Sequence, residues 1–305
     1  MTEPMPVVLM AGKDEASKFS EMLDVARAMV WYREFYEFGA DKFSKILTDN
    51  QTGETMPALE HVIRHLSHAE NVRYPIHIVG NSKAEKLVSR LREDSDFTDL
   101  FEFLPQKSTY AQNANLGREK TTERFGLSET DYMLFLSADL LRLESTHLDQ
   151  FIAHAREEME SPLGISYIRK ETMEGFRRKY LRVFEDRGLI QRRDKVKESN
   201  VVVGNGIANL DPLDRLYGMR KMLMPQNWLK LFQLIQETNG TGTINLASGI
   251  SRDFLTRGGV RTSRIEEGLP TLLDQDCQLI EVLQKELSLD YDSRKDAKRL
   301  GYSFG

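Results

Sequence analysis

The sequence has a single cysteine, Cys277, in 305 residues. That excludes an internal disulfide and any cysteine-based zinc cluster. It has no uninterrupted run of about 18 apolar residues, and no basic N-terminal segment leading into an apolar stretch, so it carries no membrane-span or secretion signal and reads as cytosolic. It also lacks a basic excess: 42 Lys and Arg stand against 47 Asp and Glu, a formal charge of -5 with a pI near 5.8. Bulk electrostatics therefore argue against a nucleic-acid or membrane-surface partner, and any anion site must be local. Fixed-period repeats and Pro/Gly/Ser-rich linkers are missing too, which favours one continuous domain.

What is there is an ordinary globular composition, 40% apolar and 29% charged, arranged as short apolar runs alternating with amphipathic stretches. That alternation is the signature of βαβ units and a mainly parallel sheet. Strands are expected near 6–10, 74–80, 100–104 and 132–137. "SEMLDVARAMVWYREFYEFGADKF" is helical in period, and "MPALEHVIRHLSHAE" starts a helix at Pro57. After residue 139 the rhythm changes. "GISYIRK", "KYLRVFED" and "VVVGNGIANL" read as strands, and "PQNWLKLFQLIQE" and "DQDCQLIEVLQKEL" as helices. The expected organisation is one domain over 1–290, with a helical insertion at about 20–42 and a charged, loosely held tail over 291–305.

Four segments carry residues suited to chemistry. The first strand leaves through Ala11-Gly12-Lys13, where a glycine permits close backbone approach and a lysine adds positive charge, a combination suited to phosphate. In open α/β sheets ligands sit beyond the carboxyl ends of the strands, which is where this turn falls. In "YMLFLSADLLRL" a buried strand runs into Asp139, an acid that needs hydration, a partner or a cation such as Mg²⁺; a helix N-cap is the alternative. Asp274 and Asp276 precede the stretch read as the last helix and could cap it, or, two apart on extended chain, share a cation. Lys45 lies in an irregular stretch before the turn residues Asp49, Asn50 and Gly53. His61, His65 and His68 share one helix face but lack the glutamate of a zincin motif, so a partly exposed helix face is the better reading there.

Taken in order, these segments resemble nucleotidyltransferases with the glycosyltransferase-A-type fold. "LMAGKDEASKF" resembles the L-A-A-G-x-G-x-R opening signature, "FSKIL" followed by "GETMPALEHV" the second signature, "FLSADLLRL" the strand-end metal aspartate, and "LLDQDCQLIEVL" the D-x-D-T-P-E-D-L segment. The similarity covers roughly residues 5–287. It implies an α/β three-layer sandwich around a mainly parallel mixed sheet, the Rossmann-like fold of nucleotide-diphospho-sugar transferases. It also implies a Mg²⁺-dependent enzyme that joins an NTP to a small phosphorylated acceptor such as a sugar phosphate and releases pyrophosphate. On this resemblance Leu9, Ala11, Gly12 and Lys13 would hold the nucleotide, and Gln112 and Gly117 in "AQNANLGREKT" would meet its base. Lys13 and Lys45 would act on the phosphates, Asp139 with Asp274 or Asp276 would hold Mg²⁺, and Asn205 and Arg182 would meet the acceptor.

The departures from the pattern are specific. The second glycine and the arginine of the opening signature are replaced, the chain reading Gly12-Lys13-Asp14-Glu15, and Ser44 precedes Lys45 where relatives often have proline. The stretch between Gly12 and Lys45 is longer than usual, and its apolar positions from Leu23 to Phe38 would form a lid, an acceptor-pocket wall or a homodimer contact beside the site, with ordinary core packing as the alternative. An incomplete signature also fits a non-catalytic nucleotide-binding or scaffold protein of the same fold. A dinucleotide-binding oxidoreductase, read from the Gly-x-Gly of "VVVGNGIANLDP", is disfavoured by Asp211-Pro212, which leaves no room for the helix that the cofactor needs.

Overall fold

A computed structural model describes residues 3–11, 43–173, 181–187, 190–214, 248–249, 252–253, 260–289 and 294–304. The opening turn at Gly12 and Lys13, the expected insertion at about 20–42 and the stretch 225–237 lie outside the described residues.

Every residue of β1 (Met5–Ala11) is buried, as an apolar run covered on both faces should be. It pairs in parallel with β4 (Val72–Gly80) on one side and β6 (Tyr132–Ser137) on the other. Outside β4 lies β5 (Phe101–Pro105), also parallel. The carboxyl ends of these four strands therefore share one edge of the sheet. The chain moves outward from β1 through β4 to β5 and then crosses back to β6, so the strand order reverses between β1 and β6. A crevice at such a reversal, beyond the carboxyl ends, is where open α/β sheets take ligands.

β9 (Ile190–Asn205) runs the other way. Its last residues pair with β6, from Tyr132↔Asn205 to Leu136↔Val201. β7 (Leu163–Arg169) pairs with β9 from Leu163↔Gly204 to Arg169↔Val196. The first residues of β9 extend past the end of β6 and pair there with β8 (Leu181–Arg187). Two short parallel additions, β10 (Val260–Arg261) on β8 and β11 (Cys277–Glu281) on β7, bring the sheet to nine strands among the described residues.

Helices cover both faces, which makes three layers. One apolar cluster joins α1 (Ala58–Leu66), α2 (Ser82–Leu91) and α4 (Ser145–Glu158) to the face that carries Leu9, Ile78 and Leu134. The other joins α3 (Tyr110–Phe125) and α5 (Thr262–Leu273) to Val8, Val79 and Phe135. The expected architecture, a mainly parallel mixed sheet between helical layers, is the one found.

Two expectations fail. "DQDCQLIEVLQKEL" does not form a helix: after α5 the chain turns at Asp274 and enters β11, with only a 3₁₀ turn over Lys285–Ser288. Its short apolar run carries no decisive period, and pairing with β7 fixes it as a strand. Gly164 on β7 leaves the space that Ile280 fills. Nor is the C-terminal segment loose. After α6 (Arg294–Arg299) it adds β12 (Tyr302–Phe304) to a small antiparallel sheet with β2 (Ile46–Asp49) and β3 (Thr55–Pro57). Its charged residues hid an anchor, because Tyr302 is 1% exposed.

Two buried histidines, His61 and His77, and the half-buried His65 tie folding to pH. Burial, with His65 second, lowers His61 from 6.5 to about 4, and burial also lowers His65 and His77. Above pH 6.5 the groups are neutral in both states and cost nothing. As pH falls from 6.5 towards 4, the unfolded chain takes up protons that the folded one refuses, so stability declines across that window. For His61 alone the loss at pH 5 is about 2 kcal/mol. Urea midpoints at pH 7 and pH 5 should differ accordingly, and the difference should shrink in a folded His61→Gln variant.

Candidate active site

The carboxyl edge of the sheet is built from strand ends and helix starts. The Ala138 amide donates to the Met10 carbonyl at 3.1 Å, stitching the exit of β6 to the end of β1. Asp139 follows, 5% exposed, and its carbonyl accepts from the Leu141 amide at 3.1 Å. Two helices begin at the same edge. Asn81 caps α2 by accepting from the Lys83 and Ala84 amides at 3.0 and 3.1 Å. Thr109 caps α3 through the Gln112 amide at 3.2 Å, and Asp214 adds a second acceptor, 2.8 Å from the Ala111 amide. Gln112 is exposed, and its side-chain oxygen accepts from Ser108 N–H at 3.2 Å.

Lys45 belongs to this edge. It is half-buried just before β2, and its carbonyl accepts from the Ala58 amide at 3.0 Å, at the start of α1. The neighbouring Phe43, Ser44 and Pro57 line a pocket of about 80 Å³ together with Asn81, Lys83 and Ala84, which brings the small sheet to the end of β4. Arg182, paired in register with Lys195, lies on β8 beyond the end of β6. Ala11, Lys45, Asp139, Gln112 and Arg182 are thus placed on one edge.

Other expected site residues are elsewhere. Asp276 immediately precedes Cys277, whose register partner Leu163 lies opposite Gly204, and Gly204 lies opposite Met133. Asp274 and Asp276 therefore stand at the amino end of β6, and the six residues of that strand, about 20 Å at ~3.3 Å per residue, separate them from Asp139. They do not share a cation with it. Asp274 closes α5 in the left-handed region with φ 52°, a conformation that short polar side chains tolerate. Asn205 is also at the far edge, opposite Tyr132. Its amide donates to the Glu129 carbonyl at 2.5 Å and its oxygen accepts from the Ile207 amide at 3.2 Å, so it holds a turn at this far edge, a strand's length from Asp139. The Leu9 side chain is wholly core. Gly117 lies inside α3, where an added methyl would collide with Val8 of β1, so its smallness serves helix-on-sheet packing.

One cluster went unforeseen. Asp253, 1% exposed, faces Arg264 Nε at 2.9 Å and Arg261 at 3.3 Å. Burial alone would raise its pKa, but hydrogen bonds from the two guanidinium groups outweigh it and hold the carboxyl below the usual range. Val260 pairs with Val183 of β8, which sets this cluster beyond the carboxyl edge as well. No local spacing in "SRDFLTRGGVRTSR" announces it, because only folding brings the charges together.

The alternatives are weak in the structure. Burial, with Asp276 second, pushes the Cys277 thiol up to about 11, so it is no thiolate nucleophile. His61 is neutral near pH 7 and engaged with Tyr302 at 2.6 Å. Among the described residues no three His, Cys, Asp or Glu side chains group as a metal site, and no helix is long and apolar enough to cross a membrane.

No protein-family model and no curated protein matches the chain. Solved structures do. One described as a hypothetical transferase from Thermus thermophilus is 16% identical, with 97% of this chain and 99% of that one covered and a TM-score of 0.57. A 4-diphosphocytidyl-2C-methyl-D-erythritol synthase from Anaerococcus prevotii is 8% identical, with 98% and 95% covered and a TM-score of 0.46. A CMP:2-keto-3-deoxy-manno-octonic acid synthetase complexed with CTP is also 8% identical, with 98% and 97% covered and a TM-score of 0.46. The likeness to the first is one of fold, and it runs the length of both chains.

The packing role of Gly117 is testable without a ligand. Gly117→Ala should destabilise the protein by about 1–3 kcal/mol, since β1 cannot yield to an overpacked helix. Denaturant unfolding measures it, and a variant of unchanged stability would overturn the packing role.

Proposed function

We propose that the protein is a nucleotidyltransferase: an oxygen of a phosphorylated acceptor bonds to the α-phosphorus of an NTP as the bond from that phosphorus to the β-bridging oxygen breaks, and pyrophosphate leaves. The observation that carries this reading is the juxtaposition of a buried carboxylate, Asp139, with the carboxyl end of β1, from which Gly12 and Lys13 continue. The ordered sequence motifs and the fold shared with a protein described as a transferase support it.

The site asks for what such a transfer needs, which is positioning and charge neutralisation more than covalent participation by the protein. Lys45 supplies positive charge at this edge, Lys13, two residues beyond β1 in the sequence, would add to it, and the start of α3 with the exposed Gln112 forms the rim. Arg182, from the strand that overhangs the edge, is the cation for the acceptor phosphate.

The donor set fits Mg²⁺ better than a transition metal. One carboxylate at the edge suits a hard cation that keeps waters and takes its remaining ligands from substrate phosphates, and no histidine or cysteine group competes with it among the described residues. Asp139 would hold the ion, which when bound neutralises charge on the triphosphate. Asp274 and Asp276 do not fit, because they stand at the opposite edge.

Incubation with each NTP, Mg²⁺ and a panel of sugar phosphates should release pyrophosphate for one pairing. Nucleotide binding without turnover across the panel would make the protein a non-catalytic binder of the same fold. Asp139→Asn should cut the rate by about a hundredfold, or about 2.7 kcal/mol. Asp276→Asn should leave it within about twofold, because an exposed change at the far edge touches nothing the reaction uses. Equal effects of the two would overturn the metal assignment.

A further inference from the structure

We infer that the C-terminal segment 294–304 is a strap that positions Asp139, with Tyr302 and Arg142 as its positioning residues; this rests on the role proposed for Asp139 above. Asp139 sits in a tight turn whose near side is tied to β1 through Ala138 and Met10. Its far side, Leu141–Arg142, is tied to the last residues of the chain.

The tie is specific. The Tyr302 hydroxyl is 2.7 Å from the Leu141 carbonyl and 2.6 Å from His61 Nε2, and both partners are buried. A hydroxyl has one proton and a carbonyl can only accept, so Tyr302 donates to Leu141. The neutral His61 must then carry its proton on Nε2 and donate to the tyrosine oxygen. Arg142 is clasped beside it: its guanidinium carbon lies 4.8 Å from the Tyr302 ring centre, its Nε donates to the Leu300 carbonyl at 2.5 Å, and its Nη1 donates to Asp49 Oδ2 at 3.3 Å. Gly301, at φ 86°, leaves the space that this guanidinium crosses, and its carbonyl accepts from the Asn50 amide at 2.9 Å.

The same contacts join three parts far apart in sequence. Asp49 and Asn50 end the strand that follows Lys45, Leu141 and Arg142 end the turn that carries Asp139, and Tyr302 pairs with Asp49 across the small sheet. The strap therefore fixes the two proposed phosphate-side groups relative to each other.

Hydrogen exchange of the full chain tests this directly. Tyr302→Phe keeps the ring and removes only the hydroxyl, and Arg142→Lys keeps the charge and loses the fork. Each should speed exchange in peptides covering 138–143 by about tenfold, the scale of one lost buried hydrogen bond, while peptides of β1 and α3 keep their rates. Unchanged exchange at 138–143, or faster exchange everywhere alike, would overturn the strap. A second arm uses turnover. Excess Mg²⁺ should restore Tyr302→Phe towards the native rate but not Asp139→Asn, whereas a variant merely less folded would be slow at every Mg²⁺ concentration. If the native protein shows no Mg²⁺-dependent turnover, the functional reading fails while the exchange arm still judges the strap.

Discussion

Complete burial of β1 is the constraint from which the rest of the architecture follows. A strand of seven buried residues must have a neighbour on each edge and a covering layer on each face. β4 and β6 satisfy its backbone, and the two helical layers cover Val8 and Leu9 on opposite sides. Because the chain builds one flank first and then crosses to the other, the crossing leaves a crevice at the end of β1. Asp139 follows β6 beside the end of β1, and Gly12 and Lys13 are the residues that continue β1 in the sequence.

β9 supplies the second constraint. Its sixteen residues are longer than β6 can accompany, so one part seals the sheet and the other overhangs its carboxyl edge. The overhang recruits β8 and β10, and with them Arg182, Arg261 and Arg264, to the same side as Asp139. The direction of β9 also decides what cannot join the site. A strand antiparallel to β6 ends, at Asn205, where β6 begins, and β7 and β11 then start from that far edge with Asp276.

What the sequence made legible follows from how local each signal is. The parallel strands were readable as apolar runs, β6 to the residue, because burial on both faces leaves no alternation to misread. Asp139 was readable as an acid ending such a run. Asp274 and Asp276 looked equivalent to it because a motif records spacing along the chain and not the strand direction that sorts residues to one edge or the other. β11 was read as helix for a related reason: its five residues acquire a period only from β7. Tyr302 was hidden among charged neighbours, and its partners His61 and Leu141 lie 241 and 161 positions away. Gly117 carried a real signal, smallness at a fixed place in a helix, whose cause was the approach of β1 and not that of a ligand.

The sorting by edge also bears on how an acidic protein would attract a triphosphate. A formal charge of -5 opposes an anion at long range, but at ionic strengths near 0.1 M exposed charges act over only about 10 Å. Asp274 and Asp276 lie about a strand's length from the crevice, beyond that range, together with Glu129 and Asp131 beside the turn that Asn205 holds. Of the acids nearer the edge, Asp253 is neutralised by two arginines, Asp49 faces Arg142, and Asp214 is occupied by the start of α3. Three acids on the side of Asp139 thus have partners of their own. On the reading proposed above, a cation brought with the nucleotide would meet the buried Asp139 there, and the strap inferred for its turn would set how well such a cation is placed.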